Sequence, residues 1–130
     1  MTRRAVAFSG AVLASVVLGC AGQPAVSGPP DQWTRGERLS VRVSLSAQTL
    51  EVRNDAAEPA SYSPFTLVGW YQQAGRRKHS MSGGQGGTLA HGESFTLPLG
   101  PLLGAAPDDR LDKLRAEFGT GRQREVFVVQ

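Results

Sequence analysis

The chain has little of what several protein classes require. It has one cysteine and two histidines in 130 residues. A single cysteine excludes an intramolecular disulfide, so the folded part must depend on its apolar core. The two histidines, His79 and His91, are far apart and have no cysteine or carboxylate at ligand spacing. We therefore expect no metal site and no cofactor.

Long apolar segments are also scarce. The one long run of apolar and small residues covers 5–18, which is 14 residues. A helix that spans a bilayer needs about 20. The sequence therefore does not predict a membrane-spanning helix.

The excess of positive charge is small. The whole chain has 14 Lys and Arg against 11 Asp and Glu, a formal charge of +3. Arg3 and Arg4 precede the apolar run. Without these two residues the chain has 12 basic and 11 acidic residues, a formal charge of +1. Nucleic-acid binding requires basic residues massed on one face, so we expect no nucleic-acid partner.

The N-terminus is organised as an export signal. Two arginines precede the run 5–18, and a small residue and the cysteine follow it. The stretch Val17-Leu18-Gly19-Cys20 resembles the lipobox of bacterial lipoproteins. This resemblance implies that 1–19 is a signal peptide and that Cys20 is acylated and begins the mature protein.

The same resemblance carries an expectation about location. Ala21 stands where Asp would imply retention in the inner membrane, so the resemblance implies a cell-envelope protein in the outer membrane, facing the periplasm, if the host is Gram-negative. Thr2-Arg3-Arg4 leaves the twin-arginine export route open beside the general secretory one. About 110 residues remain after cleavage, which suits one domain.

The segment 20–36 is rich in proline, glycine and small residues and has no apolar periodicity. This composition predicts a lipidated, flexible tether that holds the domain away from the membrane. Trp33 is the exception, and we expect it to pack on the first strand of the domain.

Residues 37–130 show the patterns of a β domain. Apolar and polar residues alternate over 39–46 and again over 49–54, which predicts two half-buried strands joined by a turn at Ala47-Gln48. The apolar stretch 65–72 predicts a central strand, and 93–99 alternates again.

Residues 111–118 fit two structures. Leu111, Leu114 and Phe118 share a helical face, whereas Leu114, Ala116 and Phe118 share one face of a strand. Glycines at 119 and 121, followed by the Val/Phe-rich segment 125–129, favour a closing β-hairpin.

Seven or so short strands without βαβ alternation predict an all-β fold, a small two-sheet β-sandwich over 37–130. The alternating strands, a Leu-x-Val-x-Asn segment and a Gly-Glu-Ser turn before a strand are loosely similar to bacterial immunoglobulin-like domains. The resemblance implies an immunoglobulin-like sandwich and says little about function.

Motifs for catalysis are weak. The sequence has no Gly-x-Ser-x-Gly elbow, and both histidines occur in turn-like contexts. The glycine-rich stretch 83–87 is followed by Thr88-Leu89 and an expected strand, whereas a phosphate-binding loop requires lysine and a helix there. We expect a flexible loop at 83–87 and no catalytic residues.

Two surface features remain. The run Arg76, Arg77, Lys78 and His79 follows Gly75 after an apolar strand, so we expect a hairpin tip, with at most a short, weak strand over 78–82. It is either a solvated turn or a contact for an anionic partner. The apolar crossover 99–107, with Leu102 and Leu103, either closes the core or forms a docking patch.

These patterns favour an envelope lipoprotein, attached to the membrane through Cys20, whose domain is a binding or assembly module for an envelope protein or a cell-wall polymer. The alternative is a small periplasmic hydrolase or ligand carrier with its site in loops. A deep pocket with converging polar groups would favour the alternative.

Overall fold

The described part of the chain folds mainly into β-strands. The computed structural model describes residues 25–62, 64–119 and 124–130. Their elements, in chain order, are β1 (Val26–Gly28), β2 (Trp33–Arg35), β3 (Leu39–Ser44), β4 (Thr49–Asn54), β5 (Ala60–Ser61), β6 (Phe65–Gln73), β7 (Arg76–Gly84), β8 (Thr88–Leu89), β9 (Ser94–Pro98), α1 (Leu99–Leu103), β10 (Arg110–Phe118) and β11 (Glu125–Val129).

Two sheets enclose the core. The larger sheet has the order β1-β11-β10-β6-β7 and the smaller has the order β9-β4-β3-β2; β5 and β8 form a separate pair. All pairings are antiparallel except that of β1 with β11. Four of the eleven described strands have two or three residues, and the other seven are longer. The predicted all-β, two-sheet sandwich is confirmed.

The alternation of apolar and polar residues explains which side chains of the smaller sheet are buried. Val41, Val43, Leu50 and Val52 have no exposed surface, and the residues between them on β3 and β4 point away from the core. The hairpin predicted over 39–54 is therefore confirmed, with its turn at residues 45–48.

The ambiguous segment is a strand. β10 pairs with β6 on one side and with β11 on the other, and the register shifts between Leu111 and Lys113. This bulge adds one residue, so Leu111 and Leu114 both face the core although they are three positions apart. The bulge explains why the sequence also fitted a helix, and the strand interpretation is confirmed.

The predicted tether ends earlier than expected. Phe127 of β11 pairs with Val26 of β1, and Val41 of β3 pairs with Thr34 of β2. Residues 26–28 and 33–35 therefore belong to the two sheets, which corrects the boundary at 36. Proline and glycine interrupt local periodicity there, but they do not prevent pairing with strands that are distant in sequence. The tether residues 20–24 lie outside the described residues.

Trp33 packs where the sequence predicts. Its ring lies on the outer face of the smaller sheet, with the Arg53 guanidinium 3.9 Å and the Arg42 guanidinium 4.9 Å from the ring centroid. Such contacts fix the tryptophan on the sheet by cation–π attraction.

The crossover 99–107 closes one end of the core. Leu99 and Leu103 of α1 are buried, and Leu102 packs partly against the core cluster. Gly104, with φ of 72°, ends the helix in the left-handed conformation. Of the two interpretations of this segment, core closure is the one that these contacts favour.

Candidate functional site

The basic run lies on a strand and not on a loop. Arg76, Arg77, Lys78 and His79 are the first four residues of β7, and each pairs with a residue of β6. The predicted hairpin tip is therefore smaller than expected. It consists of Ala74 and Gly75, whose φ angles of 50° and 78° make a two-residue turn with both residues in the left-handed region.

Pairing with β6 fixes the face to which each basic side chain points. Tyr71 of β6 is buried and pairs with Lys78, whereas Trp70 pairs with His79 and lies on the outer face of the sheet. Because side chains alternate along a strand, Arg77 and His79 share the outer face, while Arg76 and Lys78 point to the other side.

β7 extends beyond the core. All of its residues are exposed or half-buried, and none belongs to the buried core cluster. On the side that faces the smaller sheet it carries Lys78, Ser80 and Ser82 rather than apolar residues. Polar residues on this side indicate that the smaller sheet does not cover β7. Helix α1 contacts β7, and the strand forms a polar edge of the larger sheet.

The cations at the start of this edge differ in their ion pairing from those of the smaller sheet. Among the described residues, Arg76, Arg77 and Lys78 take part in no ion pair. On the smaller sheet, by contrast, Arg42 lies 2.5 Å from Glu51 and Arg53 lies 2.6 Å from Asp55. We call residues 76–79 the basic edge. The first three of them, Arg76, Arg77 and Lys78, line an open depression of about 400 Å³ next to the turn, together with Gln73 and Ala74.

An aromatic and apolar surface adjoins the basic edge on the outer face. The His79 and Trp70 ring centroids are 6.4 Å apart, and the Lys113 ammonium lies 4.7 Å from the centroid of Trp70. Met81, two residues beyond His79 on the same face, is 69% exposed and pairs with Val68. The face therefore offers both apolar contact and positive charge.

In the sequence, Trp70, Met81 and Lys113 belong to no motif that marks a site. Period-two alternation along 65–73, with every second residue assigned to the core, would have placed Trp70 on the outer face. The neighbours of Trp70 could not have been found this way, because strand order and register bring Met81 and Lys113 beside β6.

The histidines do not form a site together. His79 belongs to β7, and His91 lies in the turn before β9, where its Nδ1 is 2.6 Å from the carbonyl oxygen of Ala56. Within residues 25–62, 64–119 and 124–130 no cluster of three or more metal-ligating side chains occurs. The candidate lipidation residue, Cys20, lies outside the described residues. In the same ranges no helix is long and apolar enough to cross a bilayer.

A second cavity lies at the crossover end of the sandwich and has a volume of about 410 Å³. The described residues that line it have no ionisable side chain: Ser46, Ala47, Gln48, Thr49, Pro98, Gly100, Pro101, Ala105 and Pro107. The Gln48 amide nitrogen donates to the carbonyl oxygens of Asp109, at 2.8 Å, and Ala106, at 3.4 Å. Gln48 thus fastens the turn to the crossover, and the walls of the cavity offer no acid, base or nucleophilic thiol.

The buried Tyr71 hydroxyl does not supply a catalytic base either. Tyr71 has no exposed surface, and burial, together with the charge of Asp109, raises its pKa to about 12. The phenol therefore stays protonated at neutral pH and is not available as a general base.

No protein-family model matches this chain, and no curated protein sequence matches it significantly.

Proposed function

We propose that this chain is a membrane-anchored envelope lipoprotein whose β-sandwich binds an anionic partner through the basic edge. The observation that carries the proposal is the set of three neighbouring cations, Arg76, Arg77 and Lys78, without a counter-charge among the described residues. The partner class is an acidic envelope protein or an anionic cell-wall polymer.

Electrostatics supports an interaction role for this edge. Like charges held close together repel one another, and the four residues contribute no apolar side chain to the core. A partner of opposite charge would relieve this repulsion and would be steered toward the edge during association. The neighbouring surface of Trp70 and Met81 would add apolar contact, which polar edges alone do not provide.

Binding accounts for these features better than catalysis or ligand transport does. A hydrolase needs a nucleophile and a base within hydrogen-bond reach of each other. The larger cavity, at the crossover end, is lined in the described part of the chain by prolines, small residues and neutral polar groups. It supports the ligand-carrier alternative only as a site for a small apolar molecule.

The anchor is tested at Cys20. We expect the wild-type protein to incorporate labelled fatty acid and to fractionate with membranes. Cys20→Ser should abolish the labelling, because the resemblance to the lipobox assigns acylation to that thiol. An acyl chain contributes about 0.8 kcal/mol of membrane affinity per buried CH₂, so loss of the chains should release the protein. Acyl labelling of Cys20→Ser would contradict the anchor.

The partner is tested with charge reversal and cross-linking in the membrane. Replacing Arg76, Arg77 and Lys78 by Glu should leave the melting temperature nearly unchanged, because exposed charges contribute little to stability. The same variant should recover much less partner than wild type, and wild-type recovery should fall with added salt.

A matched pair of single variants separates this edge from general charge effects. Arg77→Glu lies on the basic edge, whereas Arg35→Glu lies on the other sheet, where Arg35 is 77% exposed and 4.0 Å from Asp55. We expect loss of the partner for Arg77→Glu alone. Equal recovery from both variants would contradict the assignment of the partner site to the basic edge.

A further inference from the structure

The outer edge of β7 has backbone groups that no other described strand pairs with. Among the described strands, β7 ends the order of the larger sheet and pairs only with β6. Among the described residues, the N–H and C=O groups of β7 that point away from β6 make no backbone hydrogen bond outside that pairing. A strand edge of this kind is a template for another extended chain.

The edge is also long and regular. Its register with β6 runs without a shift from Arg76 to Gly84, nine residues. The other described edges are less suitable: β1 and β2 have three residues each, and β9 has five and ends at Pro98, which lacks an N–H group. β7 is therefore the described edge best suited to accept a new strand.

We infer that the partner contributes an extended, acidic peptide segment that adds to β7 as a further strand of the larger sheet. This inference rests on the proposed function and specifies the chemistry of the partner at the same edge. In strand addition, main-chain hydrogen bonds hold the peptide, and side chains at alternate positions select it.

The side chains of β7 define what the added strand must carry. Its first residues, Arg76 to Lys78, require carboxylates at the adjoining end of the peptide. Met81, which is 69% exposed, favours an apolar side chain beside it on the outer face. The strand ends at Gly83 and Gly84, which carry no side chain and set no charge requirement on the far end of the peptide.

The same charges disfavour a second copy of this chain as the occupant. Two β7 strands in parallel register would place each cation about 4.8 Å from its own copy, where like charges destabilise pairing. An antiparallel pair would place the cations opposite residues 82–84, which are serine and glycine and offer no counter-charge. An acidic segment satisfies both the hydrogen-bonding groups and the charges.

The test uses the full-length chain in detergent and synthetic nine-residue peptides. The probe has glutamates in one half and a central valine. Two further peptides have the same side chains, but each is N-methylated at one of the two alternating sets of backbone amides. A fourth peptide has lysine in place of glutamate. Inorganic polyphosphate serves as a polyanion without a peptide backbone.

We expect the acidic peptide to slow amide hydrogen exchange at alternate residues of 76–84 at least tenfold. One methylated peptide should bind like the parent, because its modified amides face away from β7. The other should bind at least tenfold more weakly, since methylation removes the donors that face β7. The lysine peptide should bind at least tenfold more weakly than the glutamate peptide.

Several results would overturn strand addition. If both methylated peptides bind as tightly as the parent, β7 binds anions through its charge alone. The proposed function then stands, and strand addition is wrong. Binding of polyphosphate but of no peptide would lead to the same conclusion. If no anionic probe binds, the proposed partner site at the basic edge fails as well. Exchange protection of 76–84 that rises with protein concentration and needs no peptide would show that a second copy occupies the edge.

Discussion

Replacing the buried carboxylate of Glu125 should weaken the contact between the two sheets. Glu125 begins β11 in the larger sheet and is only 3% exposed. Its carboxylate accepts hydrogen bonds from the backbone N–H groups of Arg38, at 3.1 Å, and Leu39, at 3.3 Å. It also lies 3.1 Å from the Arg38 guanidinium. One side chain thus joins the start of β3 to the start of β11.

The loss in free energy of unfolding depends on which buried polar groups each substitution leaves without a hydrogen-bond partner. Glu125→Ala removes the acceptor of both backbone donors, and removing one member of a buried ion pair costs about 3–5 kcal/mol. Glu125→Gln keeps an acceptor oxygen and loses only the charge, so we expect about 1–2 kcal/mol. A domain of this size has about 5–15 kcal/mol of stability in total, so the alanine variant should be severely destabilised.

Urea unfolding measures both costs. Trp33 and Trp70 provide the fluorescence signal, one in each sheet, and the free energy of unfolding follows by linear extrapolation. Glu117→Ala is the control, because Glu117 pairs on the outer face with Arg115, at 3.3 Å, and with Arg124, at 3.4 Å, and has a side chain 24% exposed. Each of these surface pairs should contribute about 0–1 kcal/mol. If Glu125→Ala unfolds no more easily than Glu117→Ala, the assigned role of Glu125 is wrong.

Three further predictions concern the core, the turn and an ion pair. Phe127 is 1% exposed, so Phe127→Ala should lower the free energy of unfolding by about 3–5 kcal/mol. A free energy of unfolding equal to that of wild type would contradict the place of Phe127 in the core. Ala74→Asn should stabilise the hairpin by about 0.5–1 kcal/mol in urea unfolding, because asparagine tolerates the left-handed φ of 50° better than alanine; a loss of stability would refute the strain argument. The Arg53 side chain holds the pKa of Asp55 below its ordinary value of 3.8, so the stability contributed by this carboxylate should be complete above about pH 5 and disappear as the pH falls through the folded-state pKa. The stability difference between wild type and Asp55→Asn should therefore shrink as the pH is lowered below 4 in urea titrations, and a difference that grows on acidification would reverse the assigned sign.

Local patterns predicted the positions of the longer strands. Alternation over 39–54 placed Val41 and Leu50 in the core, and the predicted C-terminal strand is confirmed as β11, in which Phe127 is buried. The same alternation assigns Glu125, two residues before Phe127, to the inner face. A carboxylate at an inner position therefore indicates a buried polar contact from the sequence alone. The sequence does not show that its partners are Arg38 and Leu39.

The candidate site was predicted only in part. The sequence identified the run from Arg76 to His79 as a surface feature, since four consecutive polar residues cannot enter a core. It predicted a hairpin tip with at most a short, weak strand over 78–82, because charge was taken to end the preceding strand. Backbone pairing with β6 does not depend on side-chain polarity at an edge, so the strand continues through the charges as far as Gly84.

What the sequence by itself determined is the fold class, because period-two burial is a local property of consecutive residues. Tertiary structure alone decided which strands are neighbours: the parallel pairing of β1 with β11, the position of β7 at an edge, and the approach of Lys113 to Trp70. Such contacts join residues far apart in the chain, and their energy depends on the packing of both sheets at once. For that reason the basic run could be found in the sequence, but the free strand edge that carries it could be found only in the folded chain.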